Sequence, residues 1–348
     1  MSVEMHGPLH DRAQLNRILA NDLNRYLPID SPALLVPADS WSGARFVRWN
    51  AEAGPMVLKV WPKDGPDSAA HRRRHLALEP LRDFTPVPAI PIPDTTGQTL
   101  RILQSGHCAE LFRWFEGEPA GQDPPDETVR QVMTTLARLH RLWSSHFGQR
   151  EALSEAAGQR ITQLRGLASG GLDDLANEVH QLTSIDHLVR AKLLAIIQSA
   201  RQLVSVALRV LEPLASLRLP IQLVLRDTRP NHFLTRDLNV IGLIDFGAIG
   251  FDTVALDLAR LFGEWPQIDR RKRDLAFRSY ESVRPLHPAE MAAIEPLITS
   301  AAILGGIAWV DIVCRRRMSE GRETAAISAM THAENRLNAI FEKYLRPD

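Results

Sequence analysis

The chain has 348 residues, enough for two ordinary domains or one large two-lobed unit. Apolar residues make up 45% and charged residues 24%, the balance of a soluble globular protein, and 41 basic residues are matched by 41 acidic ones, so no global field favours nucleic acid or an anionic membrane. Two cysteines, Cys108 and Cys314, supply neither a disulfide framework nor a Cys-based zinc site.

That thiol usage fits a reducing, cytoplasmic setting, and MSVEMHGPLHDRAQL at the N-terminus has no apolar core of signal-peptide length. Residues 11–27 have helical apolar spacing at Leu15, Ile18, Leu19, Leu23 and Leu27. ARFVRW and MVLKVW then read as strands, with NAEAGP as the turn between them. A basic helix is expected at 68–84, followed by a proline-rich link (TPVPAIPIP, 85–93) and two strand-like runs, RILQSG and HCAELFRWF.

Beyond GEPAGQDPPD (117–126) the pattern turns helical, first in ETVRQVMTTLARLHRLW and then over 185–218 as a long helix or a pair. PIQLVLRD (220–227) is strand-like, and HFLTRDLNVIGLIDF reads as a hairpin turning at RDLN. The apolar segment 296–314 is expected as a buried helix and not a membrane span, since it contains Asp311 and two glycines. The fold class expected is α+β, with a β-rich N-terminal lobe over 1–115 and a mostly helical lobe over 116–348, joined near Trp114–Gly117.

Two aspartates carry the chemistry. Asp227 ends one apolar strand, and Asp245 ends another, just before Phe246 and Gly247. If these two strands form one hairpin, both carboxylates lie at the same end of it. Phosphoryl transfer needs that pairing: one carboxylate for a hard cation such as Mg²⁺, another for the acceptor hydroxyl, and a cation on the phosphates. Arg229, two residues after Asp227, has the charge and reach for a transferring phosphate. Gly247 frees the backbone just after Asp245.

LRDTRPNHFL, IDFG thirteen residues after His232, IGFDTVALDLARL and LARLHRLW together resemble the aminoglycoside phosphotransferase and choline kinase family, over about residues 33–265 and most clearly over 223–260. The resemblance implies a bilobal protein-kinase-like fold, an ATP-dependent activity with Mg²⁺, and a small-molecule hydroxyl as acceptor. Asp227 falls on the family's catalytic Asp, His232 on its metal-binding Asn, Asp245 on the Asp of its DFG-like triplet and Asp257 on the Asp before Leu-Ala, read as holding the catalytic loop. Lys59 falls on the strand lysine that contacts nucleotide phosphates, and Glu79 is the best candidate for its helix partner, although Pro80 follows. SWSGARF (40–46), with Ser42 and Gly43, takes the place of the nucleotide-covering loop. ELFRWFEGEP takes that of the hinge, where Trp114 and Phe115 either line a purine pocket or pack the lobe interface.

Two departures stand out. Leu225 replaces the loop's usual His, and His232 replaces Asn. Imidazole is a softer ligand than an amide oxygen, so three readings of His232 are open: a metal ligand favouring Mn²⁺, a phosphate contact, or the mark of a weakly active pseudokinase. The leading function is therefore a small-molecule kinase. A nucleotide-binding scaffold ranks second, and a protein kinase ranks last, because the chain has neither an APE-like segment nor a glycine series. Three further assignments have two readings each. Glu264, Trp265 and Asp269 line a pocket for a cationic acceptor or lie at the surface. Asp252 contacts substrate or caps a helix. HRRRH (71–75) is a solvated helix face or attracts an acidic partner. The acceptor and the oligomeric state are not legible.

Overall fold

A computed structural model of the protein describes residues 34–36, 44–51, 53–62, 65–103, 106–183, 185–265, 268–315 and 323–346. The helix expected over 11–27 and the covering-loop residues Ser42 and Gly43 lie outside the described residues. The chain divides into two compact units. The first runs to Glu118 and also takes in Leu234–Arg236 and Val240–Phe246. The second holds Pro119–Phe233, Asp237–Asn239 and the residues from Gly247 onward.

The first unit is built on strands β1 (Leu34–Val36), β2 (Arg45–Ala51), β3 (Gly54–Val60), β5 (Arg101–Ile102) and β6 (Cys108–Arg113), with β4 at Val87–Pro88. Five of them form an antiparallel sheet in the order β1-β2-β3-β6-β5. Val47 and Trp49 of β2, Met56 and Leu58 of β3, and Ala109 and Leu111 of β6 alternate along their strands and bury one face. Period-two alternation is what turns these side chains to the same side. Helix α1 (Ser68–Leu78) starts where Asp67 accepts from the Ala70 N–H at 2.6 Å. It gives way to a 3₁₀ turn at Glu79–Leu81, where Pro80 cannot donate to the α-helical ladder. A second sheet has the order β4-β11-β10-β7, with β7 at Glu118–Pro119, β10 at Phe233–Arg236 and β11 at Asn239–Leu243. Asp237 and Leu238, both with positive φ (49° and 66°), make the tight turn expected at RDLN.

The second unit contains α2 (Asp126–Phe147), β8 (Arg150–Ala152), α3 (Glu155–Gly166), α4 (Leu172–Gln181), α5 (His187–Leu211), β9 (Leu219–Val224), β12 (Gly250–Asp252), α6 (Val254–Glu264), α7 (Arg270–Glu281), α8 (Pro288–Arg315) and α9 (Glu323–Leu345). Val129, Val132, Met133, Leu136, Leu139 and Trp143 of α2 are all inaccessible, the stripe that a 3.6-residue period demands. Helix α8 packs against α5, α6 and α9, as expected for the apolar segment 296–314. Both α8 and the helix beginning at His187 are long and apolar enough to cross a membrane, yet much of each is buried inside the protein.

One expectation fails. The strand before Asp227 and the strand before Asp245 are not a hairpin. β9 pairs with β8 and β12, whereas β11 pairs with β10 and β4. The chain after β9 tightens into a 3₁₀ turn at Pro230–His232, and the next strand, β10, already has its partner across a two-residue turn.

Candidate active site

In the first unit, Lys59 lies on β3 opposite Glu110 of β6. Its ammonium is 3.7 Å from Asp245 Oδ1, 4.0 Å from the Trp61 ring centroid and 5.6 Å from that of Phe46. Burial lowers the Lys59 pKa, and the charges of Asp245 and Glu110 oppose that fall. The Lys59 ammonium thus faces a carboxylate and an aromatic surface, partners that offset part of the cost of burying a charge. Asp245 is itself nearly half exposed and has a left-handed backbone, φ 61°. Asp tolerates that conformation better than most residues.

The sequence-expected partner is wrong. Glu79 does not pair with Lys59: it lies at the surface in a two-bond ion pair with Arg82. The end of α1 at Leu78 puts Glu79 in the 3₁₀ turn, and α1 turns His71 and His75 inward instead of an acid. The acid comes from the sheet. Glu110, 4% exposed, accepts from Trp61 Nε1 and meets His75 Nε2 at 2.6 Å and His71 Nδ1 at 3.2 Å. Burial alone would raise its pKa, but these hydrogen bonds outweigh burial and hold the carboxyl far below its ordinary value. The lone acid in the apolar run HCAELFRWF was the available signal. Of HRRRH, Arg72 and Arg73 are exposed, as for a solvated face, while the two histidines are buried. Trp114 stacks on Arg48 at 4.7 Å, and Phe115 packs on the Gly242 backbone, where a Cβ would come within 3.1 Å of the ring.

In the second unit, the loop after β9 carries Asp227, Arg229 and His232. Its backbone is fixed by Asp257, which has no exposure. The two Asp257 oxygens accept from Leu225 N at 2.8 Å and Arg226 N at 2.7 Å, and His140 Nε2 is 2.9 Å from Oδ2. Burial lowers the His140 pKa, so the ring is neutral. Its Nε2–H then donates to Asp257, and Nδ1 accepts from the Tyr280 hydroxyl at 2.7 Å. The clamp holds Arg226 at φ 68°. Such a backbone costs a bulky residue about 1–2 kcal/mol. Asp257 thus has the loop-holding role expected of it.

Helix α6 then supplies a charged stripe. Asp257, Arg260 and Glu264 stand at i, i+3 and i+7 on one face of an otherwise apolar helix. Arg260 Nε is 3.1 Å from Asp227 Oδ1, and Arg229 Nε is 3.0 Å from the same oxygen. Burial pushes the Asp227 pKa up, but Arg229, Arg260 and His232 together bring it below its ordinary value. His232 is buried, and its backbone N–H donates to Arg229 O at 3.1 Å. Asp227 also lines a cavity of about 330 Å³, whose walls come from α3, α6, α8 and the loop itself.

The three residues proposed for a cationic acceptor are otherwise engaged. Glu264 is shared by Arg260, Arg336 and His332 at 2.9–3.2 Å. The Trp265 Nε1–H donates to Gly121 O at 3.0 Å, and Asp269 caps α7 through Lys272 N at 2.7 Å. Asp252 is a cap, on α3 rather than on the helix that follows it: it accepts from Ser154 Oγ at 2.7 Å and Ala156 N at 3.0 Å.

Residues 34–294 match the model of a phosphotransferase enzyme family, three quarters of the chain. The protein belongs to that family. The match spans both units and takes in Lys59, Glu110, Asp227, His232, Asp245, Asp257 and Arg260. Among curated proteins, the homoserine kinase of Gluconobacter oxydans (strain 621H) is 31% identical over 220 residues, and the match spans 62% of each chain. Solved structures of the same fold include a spectinomycin phosphotransferase in complex with ADP and spectinomycin (TM-score 0.70, 12% identity, 94% of this chain and 97% of that one). An amicoumacin kinase in complex with AMP-PNP and Ca²⁺ (0.63, 13%, 93% and 94%) and a microcompartment-associated aminopropanol kinase (0.60, 17%, 95% and 97%) share it too.

No three His, Cys, Asp or Glu side chains cluster as a self-contained metal site among the described residues. The exposed carboxylate of Asp245 instead fits a cation such as Mg²⁺, which takes one or two carboxylates and fills its remaining positions with water and substrate phosphates.

Proposed function

We propose that the protein transfers the γ-phosphoryl group of ATP to a hydroxyl of a small molecule. The observation that carries this reading is Asp227: a carboxylate at the wall of a 330 Å³ cavity, on a loop clamped by Asp257 and flanked by two guanidinium groups. Lys59 of the first unit serves the nucleotide phosphates, and Asp245 would hold Mg²⁺ with His232 as its second expected ligand. Bound there, the metal would neutralise phosphate charge.

In the reaction, the acceptor oxygen attacks the γ-phosphorus as the bond from phosphorus to the β–γ bridging oxygen breaks. ADP leaves with that electron pair, and the acceptor's proton passes to Asp227. Arg229 and Arg260 keep Asp227 ionised and fix the direction of its oxygens, so its first task is to orient the hydroxyl. Proton uptake follows as the oxygen–phosphorus bond forms. Arg229 also offers a cation to the transferring group.

Titration calorimetry of ATP without metal, with Mg²⁺ and with Mn²⁺ tests the nucleotide half of the reading. Metal-dependent binding that Asp245→Ala abolishes supports it, and parallel loss in His232→Ala makes His232 a ligand. No nucleotide binding under any condition refutes it. Homoserine is the first acceptor to try, because a curated relative is a homoserine kinase.

A further inference from the structure

The cavity at Asp227 has an unusual electrostatic character. Its polar lining is Gln159, Arg160 and Gln163 of α3, Arg226 and Asp227 of the loop, and Arg260 of α6. Three guanidinium groups thus share the wall with one carboxylate. Arg260 is accounted for by Asp227 and Glu264. The other two are not. Among the described residues, Arg160 Nη1 donates only to neutral oxygens, Leu297 O at 2.9 Å and Ser300 Oγ at 3.2 Å. Arg226 has no side-chain hydrogen bond or ion pair among the described residues. It lies along Gly250, where an added Cβ would meet its Nη1 at 2.8 Å and its Cδ at 2.9 Å. Burial and the neighbouring charges of Arg260, Arg336 and Arg226 bring the Arg160 pKa down to about 10 against the pull of Asp252.

Arginines crowded at one cavity without matching carboxylates repel one another and lose hydration, a cost that persists only where something offsets it. An oxyanion does so, accepting paired N–H donors from a guanidinium on two of its oxygens. The side-chain amide of Gln163 adds a neutral donor beside them, while that of Gln159 donates to Glu155 Oε1 at 2.8 Å. A cationic acceptor would enter this cavity against two arginines that form no ion pair with a carboxylate among the described residues.

We propose that this cavity binds the acceptor by an oxyanion, so that the substrate is a small hydroxyl compound bearing a carboxylate or phosphate group seated on Arg160 and Arg226. The assignment rests on the phosphotransferase reading for its word "acceptor", but the anion site stands on geometry of its own. The oxyanion anchors one end of the molecule, and a hydroxyl on the same short skeleton comes within reach of Asp227. The 330 Å³ volume suits a compact molecule and not a large sugar antibiotic.

Four compounds on one three-carbon skeleton test this: glycerol, 3-amino-1,2-propanediol, D-glycerate and glycerol 3-phosphate. Each is titrated calorimetrically at constant ionic strength, with and without saturating AMP-PNP and Mg²⁺, into the wild type, Arg226→Gln, Arg160→Gln and the exposed control Arg130→Gln. The expected result is saturable binding of at least one anion, weakened tenfold or more in Arg226→Gln and Arg160→Gln and unchanged in the control. Whichever of glycerate and glycerol phosphate binds tells carboxylate from phosphate. Equal or tighter binding of the neutral or cationic compound overturns the inference, as does anion binding indifferent to both arginine substitutions. Absence of saturable binding by either anion at tens of millimolar overturns it as well. If ATP and AMP-PNP do not bind but the anion does, the kinase reading fails and the anion site stands. If nucleotide binds and the anion does not, the reverse holds.

Discussion

Asp257→Asn tests the loop clamp most sharply. The carboxylate meets three donors with no solvent access, at 2.7, 2.8 and 2.9 Å. An amide keeps one acceptor oxygen and must point its NH₂ at a backbone N–H or at the His140 Nε2–H. At least one charge-assisted hydrogen bond is lost, worth about 1.5–3 kcal/mol, and an N–H is left unmet. Arg226 is the weak point, because its left-handed backbone stores about 1–2 kcal/mol that the clamp no longer opposes. The expected destabilisation is about 2–4 kcal/mol, or roughly 5–15 °C in Tm for a unit of this size. Thermal unfolding by circular dichroism reads it. Turnover should fall about a hundredfold, since Asp227 is one residue from the displaced backbone. Adding Arg226→Gly to the variant should restore part of the stability, because glycine adopts φ 68° without the Cβ penalty. A Tm within about 1 °C of wild type, with turnover intact, would refute the clamp.

Three further outcomes follow from the geometry. Lys59→Met should raise the Kd for ATP tenfold or more by calorimetry, and Glu79→Ala should leave it unchanged, because Glu79 bonds only Arg82 at the surface. Glu110→Gln should flatten the acid side of the Tm–pH profile. The folded Glu110 pKa is depressed, so its contribution is complete above the ordinary glutamate value near ~4.3 and is lost as pH falls below that towards the folded value. A profile that stays as steep below pH 4.5 in the variant would contradict the three-donor account of this carboxylate. Arg260→Gln should move the acid limb of turnover to higher pH, because one of the cations that lower the Asp227 pKa is gone; an unmoved limb would mean that Asp227 does not set it.

Much of this arrangement was legible in the residues. Strand alternation in ARFVRW and MVLKVW and the helical stripe of α2 reflect local periods that burial enforces, so their elements came through. The loop after β9 was legible by spacing alone, and Asp257 by its place before Leu-Ala. What failed depended on pairing at a distance. Nothing in VLRD or LIDF says which strand each will join, and the hairpin drawn between them was wrong. Lys59 was assigned a partner by analogy with a helix glutamate, whereas the acids came from β6 and from Asp245. The arginine-lined cavity was missed altogether. Arg160 and Arg226 are 66 residues apart in a chain of neutral net charge, and composition cannot show which charges lack partners.

The central claim is that Asp227 accepts the proton of an acceptor hydroxyl as phosphate leaves ATP. Transfer of label from [γ-³²P]ATP to an acceptor, measured in wild type and Asp227→Asn alongside ATP binding, tests it most directly. The account predicts labelled product in the wild type, a fall of about 10²–10⁴-fold in the variant, and an ATP Kd that does not change. Equal transfer by both proteins, or bound ATP whose label never leaves it with any acceptor offered, would contradict it.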